Sequence, residues 1–173
     1  MTKISPERAK LQNRSWFAVV MAYQTCMRQY GRMLATFKLS VAQFEVLSAI
    51  DELQEAATPA TIARRLLVTK GNISGLLRRL GDQDLITLLP NPGDGRSLHC
   101  RLSPRAAALV AKAQTAAGAF IHAQLAPFSD AQLADTQTQM TRMRLHLEQI
   151  DLKQLVALAS TQSVASKSKA NRQ

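Results

Sequence analysis

The chain has 173 residues, with 22 Lys and Arg against 12 Asp and Glu, a formal net charge of +10 and an isoelectric point near 10.3. At 46% hydrophobic and 20% charged it can bury a core, which excludes wholesale disorder. So strong a positive balance points to a polyanionic partner, and the placement of the cations must say which. Two distant cysteines, Cys26 and Cys100, exclude a disulfide framework or a Cys-rich zinc module and fit a reducing cytoplasm. The longest strongly apolar run, 16–23, is too short to cross a bilayer and lacks a signal-peptide cleavage site, so no membrane attachment is expected.

Ser5-Pro6-Glu7 reads as a helix start. From there Trp16, Val20, Tyr23, Met27, Tyr30, Leu34 and Phe37 recur at alternating spacings of four and three, a heptad seam that wants another helix, from the same chain or from a partner. Ser40 with Gln43 forms a capping box opening a second helix that buries Phe44, Val46, Leu47, Ile50 and Leu53. Thr58-Pro59 starts a short third helix burying Ile62 and Leu66. Thr69 caps a fourth, with Ile73, Leu76, Leu77 and Leu80 on one face. Short helices at this spacing read as a helix-turn-helix.

After Asp84 the period becomes extended. Residues 85–89 and 98–102 read as two strands joined by the eight polar residues 90–97, with Leu98, Cys100 and Leu102 on the inner face and His99 and Arg101 on the outer. The shape is that of a wing with a protruding tip. Ser103-Pro104 opens a fifth helix burying Leu109, Val110, Ala113, Ala117, Phe120 and Ile121. Ser129 caps a sixth through about Ala159, with Met140, Met143, Leu147 and Ile150 repeating the seam spacing, and 160–173 reads as a disordered tail. The fold class is mainly α with a small antiparallel β wing. Residues 39–103 form the winged helix-turn-helix, and 1–38 with 104–159 form a helical dimerisation region.

Between Thr61 and Leu80 stand five cations and no acid, and the first 44 residues carry seven cations against Glu7 alone. A helix entering the major groove must present small or hydrogen-bonding side chains at its N-terminus, because bulky apolar groups would hold it off the base edges. Thr69, Lys70, Gly71, Asn72, Ser74 and Gly75 supply that surface. Arg78 and Arg79 follow one or two turns later, where phosphates would run. Arg96 at the hairpin tip suits a minor groove, with Asp94 orienting it.

LSVAQFEVLSAI (39–50), TPATIARRL followed by VTKGNISGLLRRL (58–80), and GDGRS followed by LS in the wing together resemble the multiple-antibiotic-resistance regulator (MarR) family of winged helix-turn-helix transcription factors, over about 39–108. The resemblance implies a homodimer built from the first and last helices, and an acid and an arginine at the wing tip matching Asp94 and Arg96. The expected function is a dimeric regulator of transcription, by default a repressor, on a double-stranded, pseudo-palindromic operator with half-sites about 10 base pairs apart. Departures are Asp84 where the family usually has Gly, Gly75 where a longer polar residue is common, and Leu88-Leu89 where basic residues are frequent. The resemblance also implies a small-molecule effector, commonly an aromatic acid, for which Trp16, Tyr23, Met27, Tyr30 and Phe44 are the candidate lining and Arg14 or Arg28 the anion partner. The same stripe also reads as ordinary packing.

Cys26 is a candidate redox switch near Arg28 and Arg32, weighed against an idle thiol. Cys100 reads as structural. His99, His122 and His146 lack metal-ligand spacing, and no phosphate loop, nucleophile elbow or H-E-x-x-H is present, so no metal, cofactor or enzymatic activity is expected. A helical adaptor or a basic membrane-surface protein would account for the charge and the seams but not for a helix-turn-helix with a wing.

Overall fold

The computed structural model describes residues 4–91 and 94–157, with backbone only at 70, 91 and 94–97. The 160–173 tail expectation lies outside the described residues. The elements are α1 (Pro6–Ala35), α2 (Val41–Leu53), a 3-10 turn (Gln54–Ala56), α3 (Pro59–Arg65), α4 (Lys70–Asp82), β1 (Ile86–Asn91), β2 (Asp94–Leu102), α5 (Pro104–Leu125) and α6 (Asp130–Glu148). They fall into two compact units, 1–123 and 124–173.

Local chemistry sets the helix starts. The Ser5, Ser40, Thr58, Thr69 and Ser129 hydroxyls each accept the backbone N–H three residues on, and Ser40 with Gln43 and Ser129 with Gln132 close full capping boxes. Each such cap is worth about 1 kcal/mol. At Thr58 the reciprocal partner is Thr61, whose hydroxyl accepts from the Thr58 N–H at 2.8 Å.

The helix ends are less conventional. After α1, α3 and α4 the chain leaves through the same left-handed turn, at Lys38 (φ 58°), Leu67 (φ 55°) and Asp84 (φ 55°). The next residue donates back five positions: Leu39 N–H to Leu34 O at 3.2 Å, Val68 N–H to Ala63 O at 3.0 Å, and Leu85 N–H to Leu80 O at 3.0 Å. These are Schellman exits built without glycine. Asp84 thus holds, without glycine, the left-handed conformation that glycine adopts most readily.

The core of the first unit gathers Leu34, Val46, Leu47, Ile62, Leu80, Cys100 and Val110, all fully buried. α4 packs against α2, α3 and β1 through Ile73, Leu76, Leu77 and Leu80, all buried. Leu53, Leu66, Leu109 and Phe120, expected inside, are only half-buried, and Ile121 is exposed; the small Ala106 and Ala49 take buried positions instead. The α1 seam changes character along its length. Tyr30 lies edge-on to Phe44 at 6.2 Å and tilted against Phe120 at 5.4 Å, whereas Trp16 and Tyr23 are 59% and 64% exposed. Burial, followed by the nearby Glu45 and Cys26, raises the Tyr30 pKa.

Two expectations for the wing need correction. The strands run further than 85–89 and 98–102: antiparallel pairing extends from Ile86↔Leu102 to Pro90↔Leu98 and resumes at Asn91↔Asp94. The register jump passes over Gly95, Arg96 and Ser97, a bulge beside Pro90, which has no N–H to give the ladder. The inner face is also not the simple alternation expected. His99 is 6% exposed, because its ring turns toward the 3-10 turn, where Nε2 lies 3.7 Å from Glu55 Oε2. Leu98, by contrast, is exposed, since the ribbon has already left the body of the protein there.

In the second unit α6 ends at Glu148 rather than near 159. Asp151 Oδ1 accepts from the N–H groups of Lys153 (2.9 Å) and Gln154 (3.1 Å), so it caps a new helical segment, 152–157, in place of continuing the old one.

Two tests follow from the exits and from the wing root. Leu67 is 84% exposed and has little burial to lose, so Leu67→Gly should relieve the left-handed strain and stabilise the chain by about 0.5–1 kcal/mol in urea unfolding; a loss of stability would show that the side chain matters there. Burial pushes the Cys100 thiol up to about 11 from 9.0. The folded state therefore holds that proton more tightly, and stability from this group is full below pH 9 and is lost as pH rises toward 11. Cys100→Ala should flatten the alkaline limb of a stability–pH curve measured over that window.

Candidate nucleic-acid interface

The apolar face of α4 fixes what its other face does. With Ile73, Leu76, Leu77 and Leu80 turned inward, Thr69, Gly71, Asn72, Ser74, Arg78 and Arg79 are all exposed. The Thr69 hydroxyl accepts the Asn72 N–H at 3.4 Å, which leaves the remaining first-turn amides and the positive end of the helix dipole at the surface. A Cβ built on Gly71 or on Gly75 would meet nothing within 4 Å. Internal packing therefore does not demand these glycines, although each costs the helix about 1 kcal/mol relative to alanine. They leave a smooth, close-approach strip one turn apart on the same face as Asn72.

The structure brings together Thr69, Asn72, Ser74, Arg78 and Arg79 on one helix; the backbone of Lys70 belongs to it, and its side chain lies outside the described residues. Asp94 and Arg96 are in β2, Arg96 within the bulge, and their side chains also lie outside the described residues. Of the other cations near the motif, Arg65 is held by Glu52 across from α2 at 2.9 Å, a neutralising acid that a count along the sequence does not reveal.

The wing is tied to the helix-turn-helix by groups that sequence patterns did not single out. Arg101 donates to Glu55 Oε1 at 3.0 Å, His99 faces the other oxygen of the same carboxylate, and the Cys100 N–H donates to the Ala57 carbonyl at 2.7 Å. Glu55 and Arg101 are exposed, so the ion pair is worth little alone. The backbone bond is buried at Cys100 and fixes the register.

The aromatic and thiol candidates do not form one cluster. Phe44 is buried, Met27 and Cys26 are half-buried, and Trp16 and Tyr23 face solvent. Trp16 stands fourteen residues before Tyr30, roughly 21 Å along the helix axis, and packs its ring edge-on to Phe17 at 5.0 Å. Among the described residues no group of three His, Cys, Asp or Glu side chains is placed to hold a metal ion, and no helix is long and apolar enough to cross a membrane.

Comparison with known proteins agrees with this geometry. Residues 37–97 match the MarR family. The chain is 29% identical over 107 residues to the multiple antibiotic resistance protein MarR of Salmonella typhimurium, covering 62% of this chain and 74% of that protein. It is 27% identical over 115 residues to the HTH-type transcriptional repressor NicR of Pseudomonas putida, covering 62% and 72%. A MarR variant from E. coli, solved complexed with operator DNA, superposes with a TM-score of 0.65 at 24% identity, covering 73% of this chain and 90% of that one. The matched region holds α2, α3, α4 and most of the wing described above, and over it the chain is similar to the MarR family.

Proposed function

We propose that this chain is a homodimeric repressor that binds a pseudo-palindromic operator, reading bases with the N-terminus of α4 and gripping the adjacent minor groove with the wing. The observation that carries the reading is the exposed N-terminal face of α4, polar, small and backed by a fully apolar inner face. Asn72 and Ser74 offer hydrogen bonds to base edges, Thr69 and Lys70 sit where a phosphate meets the helix dipole, and Arg78 and Arg79 supply phosphate contacts further along. Arg96, whose backbone lies in the bulge near the end of the ribbon, is the groove-inserted arginine of this reading, with Asp94 orienting it. The similarity to a protein named a repressor and to one solved with operator DNA supports the same direction of action.

Dimerisation is supported by the apolar side chains each unit leaves in water. α1 exposes Leu11, Trp16, Phe17, Met21 and Tyr23, and the second unit exposes Phe128, Met140, Met143 and Leu147. So many exposed large apolar side chains on these helices favour a partner surface that covers them. In this reading residues 1–38 and 104–159 supply the dimer, 39–103 the DNA-binding part, and an aromatic acid effector acts on their relation.

Measured by fluorescence anisotropy at fixed salt, Arg96→Ala should weaken operator binding by about 1–3 kcal/mol while leaving the dimer intact. Asn72→Ala should change which sequences bind. Arg78→Gln and Arg79→Gln should weaken all sequences alike and each reduce the salt dependence by about one phosphate. Uniform loss in Asn72→Ala, or no loss in Arg96→Ala, would contradict the assignment. Trp16→Glu with Tyr23→Glu should yield monomers in light scattering and lower operator affinity at least roughly tenfold; a persistent dimer would remove α1 from the interface.

A further inference from the structure

We propose that Glu55 positions the wing for DNA without touching DNA, and that its hold on the ribbon tightens when His99 takes up a proton. The inference deepens the regulator reading and rests on the wing meeting the duplex. His99 is 6% exposed and shares β2 with Arg96, three residues earlier and about 10 Å along the strand. Its Nε2 stands 3.7 Å from Glu55 Oε2, too far for a hydrogen bond from a neutral ring but close enough for an imidazolium to be drawn across the gap. Arg101 already donates to the other oxygen, Oε1, at 3.0 Å. One carboxylate thus faces two side chains of β2, one a permanent cation and the other a cation only when protonated.

The charges around the wing root leave a place for that proton. Asp51, Glu55, His99 and Arg101 line a cavity of about 390 Å³, roomy enough for water to reach the ring. Asp51 Oδ2 accepts from the Gln114 amide at 3.3 Å, a neutral donor, and among the described residues no cation pairs with it. Two carboxylates therefore meet one guanidinium, and a protonated His99 makes the count even. Histidine is the side chain that changes charge between about pH 5 and 8. Other groups on the packed elements do not compete. Burial pushes the Cys100 thiol up to about 11, so it stays neutral through that window; β1 carries no charged residue; Arg64 and Arg65 of α3 do not line the cavity, and Arg65 is held by Glu52.

The grip is placed to steer the ribbon. Cys100 lies between His99 and Arg101, and its N–H donates to the carbonyl of Ala57, two residues after Glu55. The carboxylate and that carbonyl hold three consecutive residues of β2 from the segment that leads into α3. Tightening the hold narrows the angles the ribbon samples, and a ribbon kept at one angle presents Arg96 with less ordering left to do on binding.

Two measurements on the full chain, each at about pH 5.5 and about pH 8 and at fixed salt, test this. Hydrogen exchange of the Cys100 amide without DNA reads the root itself, corrected for intrinsic exchange and referred to the core amide of Leu47. Protection should be about threefold greater at the lower pH, with no such gain in His99→Gln or in Glu55→Gln, whose exposed position keeps the fold intact. Fluorescence anisotropy uses a palindromic duplex that the chain itself selects from a random library. Its gain in affinity on acidification should be about threefold larger in the parent than in either variant, and in an Arg96→Ala background Glu55→Gln should leave the pH response unchanged. A Cys100 amide indifferent to pH, or equally responsive in Glu55→Gln, overturns the proposal whatever the DNA does. A responsive amide with the same pH dependence of affinity in parent and variants overturns the positioning role; if Arg96→Ala still costs affinity, the regulator reading survives that result. A library that yields no preferred duplex, or an Arg96→Ala that loses nothing, removes the wing contact itself and this proposal with it.

Discussion

Burial of four side chains on α4 is the constraint from which the remaining organisation follows. Ile73, Leu76, Leu77 and Leu80 occur at i, i+3, i+4 and i+7 and sit within the core, each worth about 1.5–3 kcal/mol in surface removed from water. Rotating the helix to hide its polar face would expose all four at once, a cost comparable to the whole stability of a small domain. The orientation of Asn72, Ser74 and the arginines is therefore set by residues that never meet solvent. Chemistry on the outer face is free to vary without endangering the fold.

The second constraint is how the chain turns between short helices. Three exits use the same left-handed geometry, and in each the following residue returns to the last turn through its backbone N–H. Two of those residues, Leu39 and Leu85, are core leucines, so the turn both ends a helix and anchors the next segment. This pairing of a strained backbone residue with a buried successor makes the strain tolerable. It also brings the distant segments 37–39 and 83–85 side by side, which no inspection of either alone would suggest.

Much of this was legible in the sequence, for physical reasons. Hydroxyl caps act over three residues, and the structure shows Ser5, Ser40, Thr58, Thr69 and Ser129 where local spacing put them. Helical burial follows a 3.6-residue period, which placed the inward faces of α2 and α4. The exits were not legible, because Lys38, Leu67 and Asp84 carry no turn signature. Neither was the inward position of His99, which depends on Glu55, or the cancellation of Arg65 by Glu52, which depends on a neighbouring helix. The bulge at 95–97 escaped because two glycines and two prolines within 90–97 read locally as a long connection. Of the candidate site, the α4 face was readable residue by residue, while the ties between the wing root and Glu55 and Ala57 join distant positions and have no local signal.

The bond between the Cys100 N–H and the Ala57 carbonyl has a mechanical consequence. Ala57 lies directly before Thr58, the residue whose hydroxyl starts α3, so the ribbon is hinged on the same few peptides that begin the helix pair. A force applied along the ribbon is handed to those helices without passing through a compliant linker. Displacement of the one must tilt the other, because both turn on the same peptides.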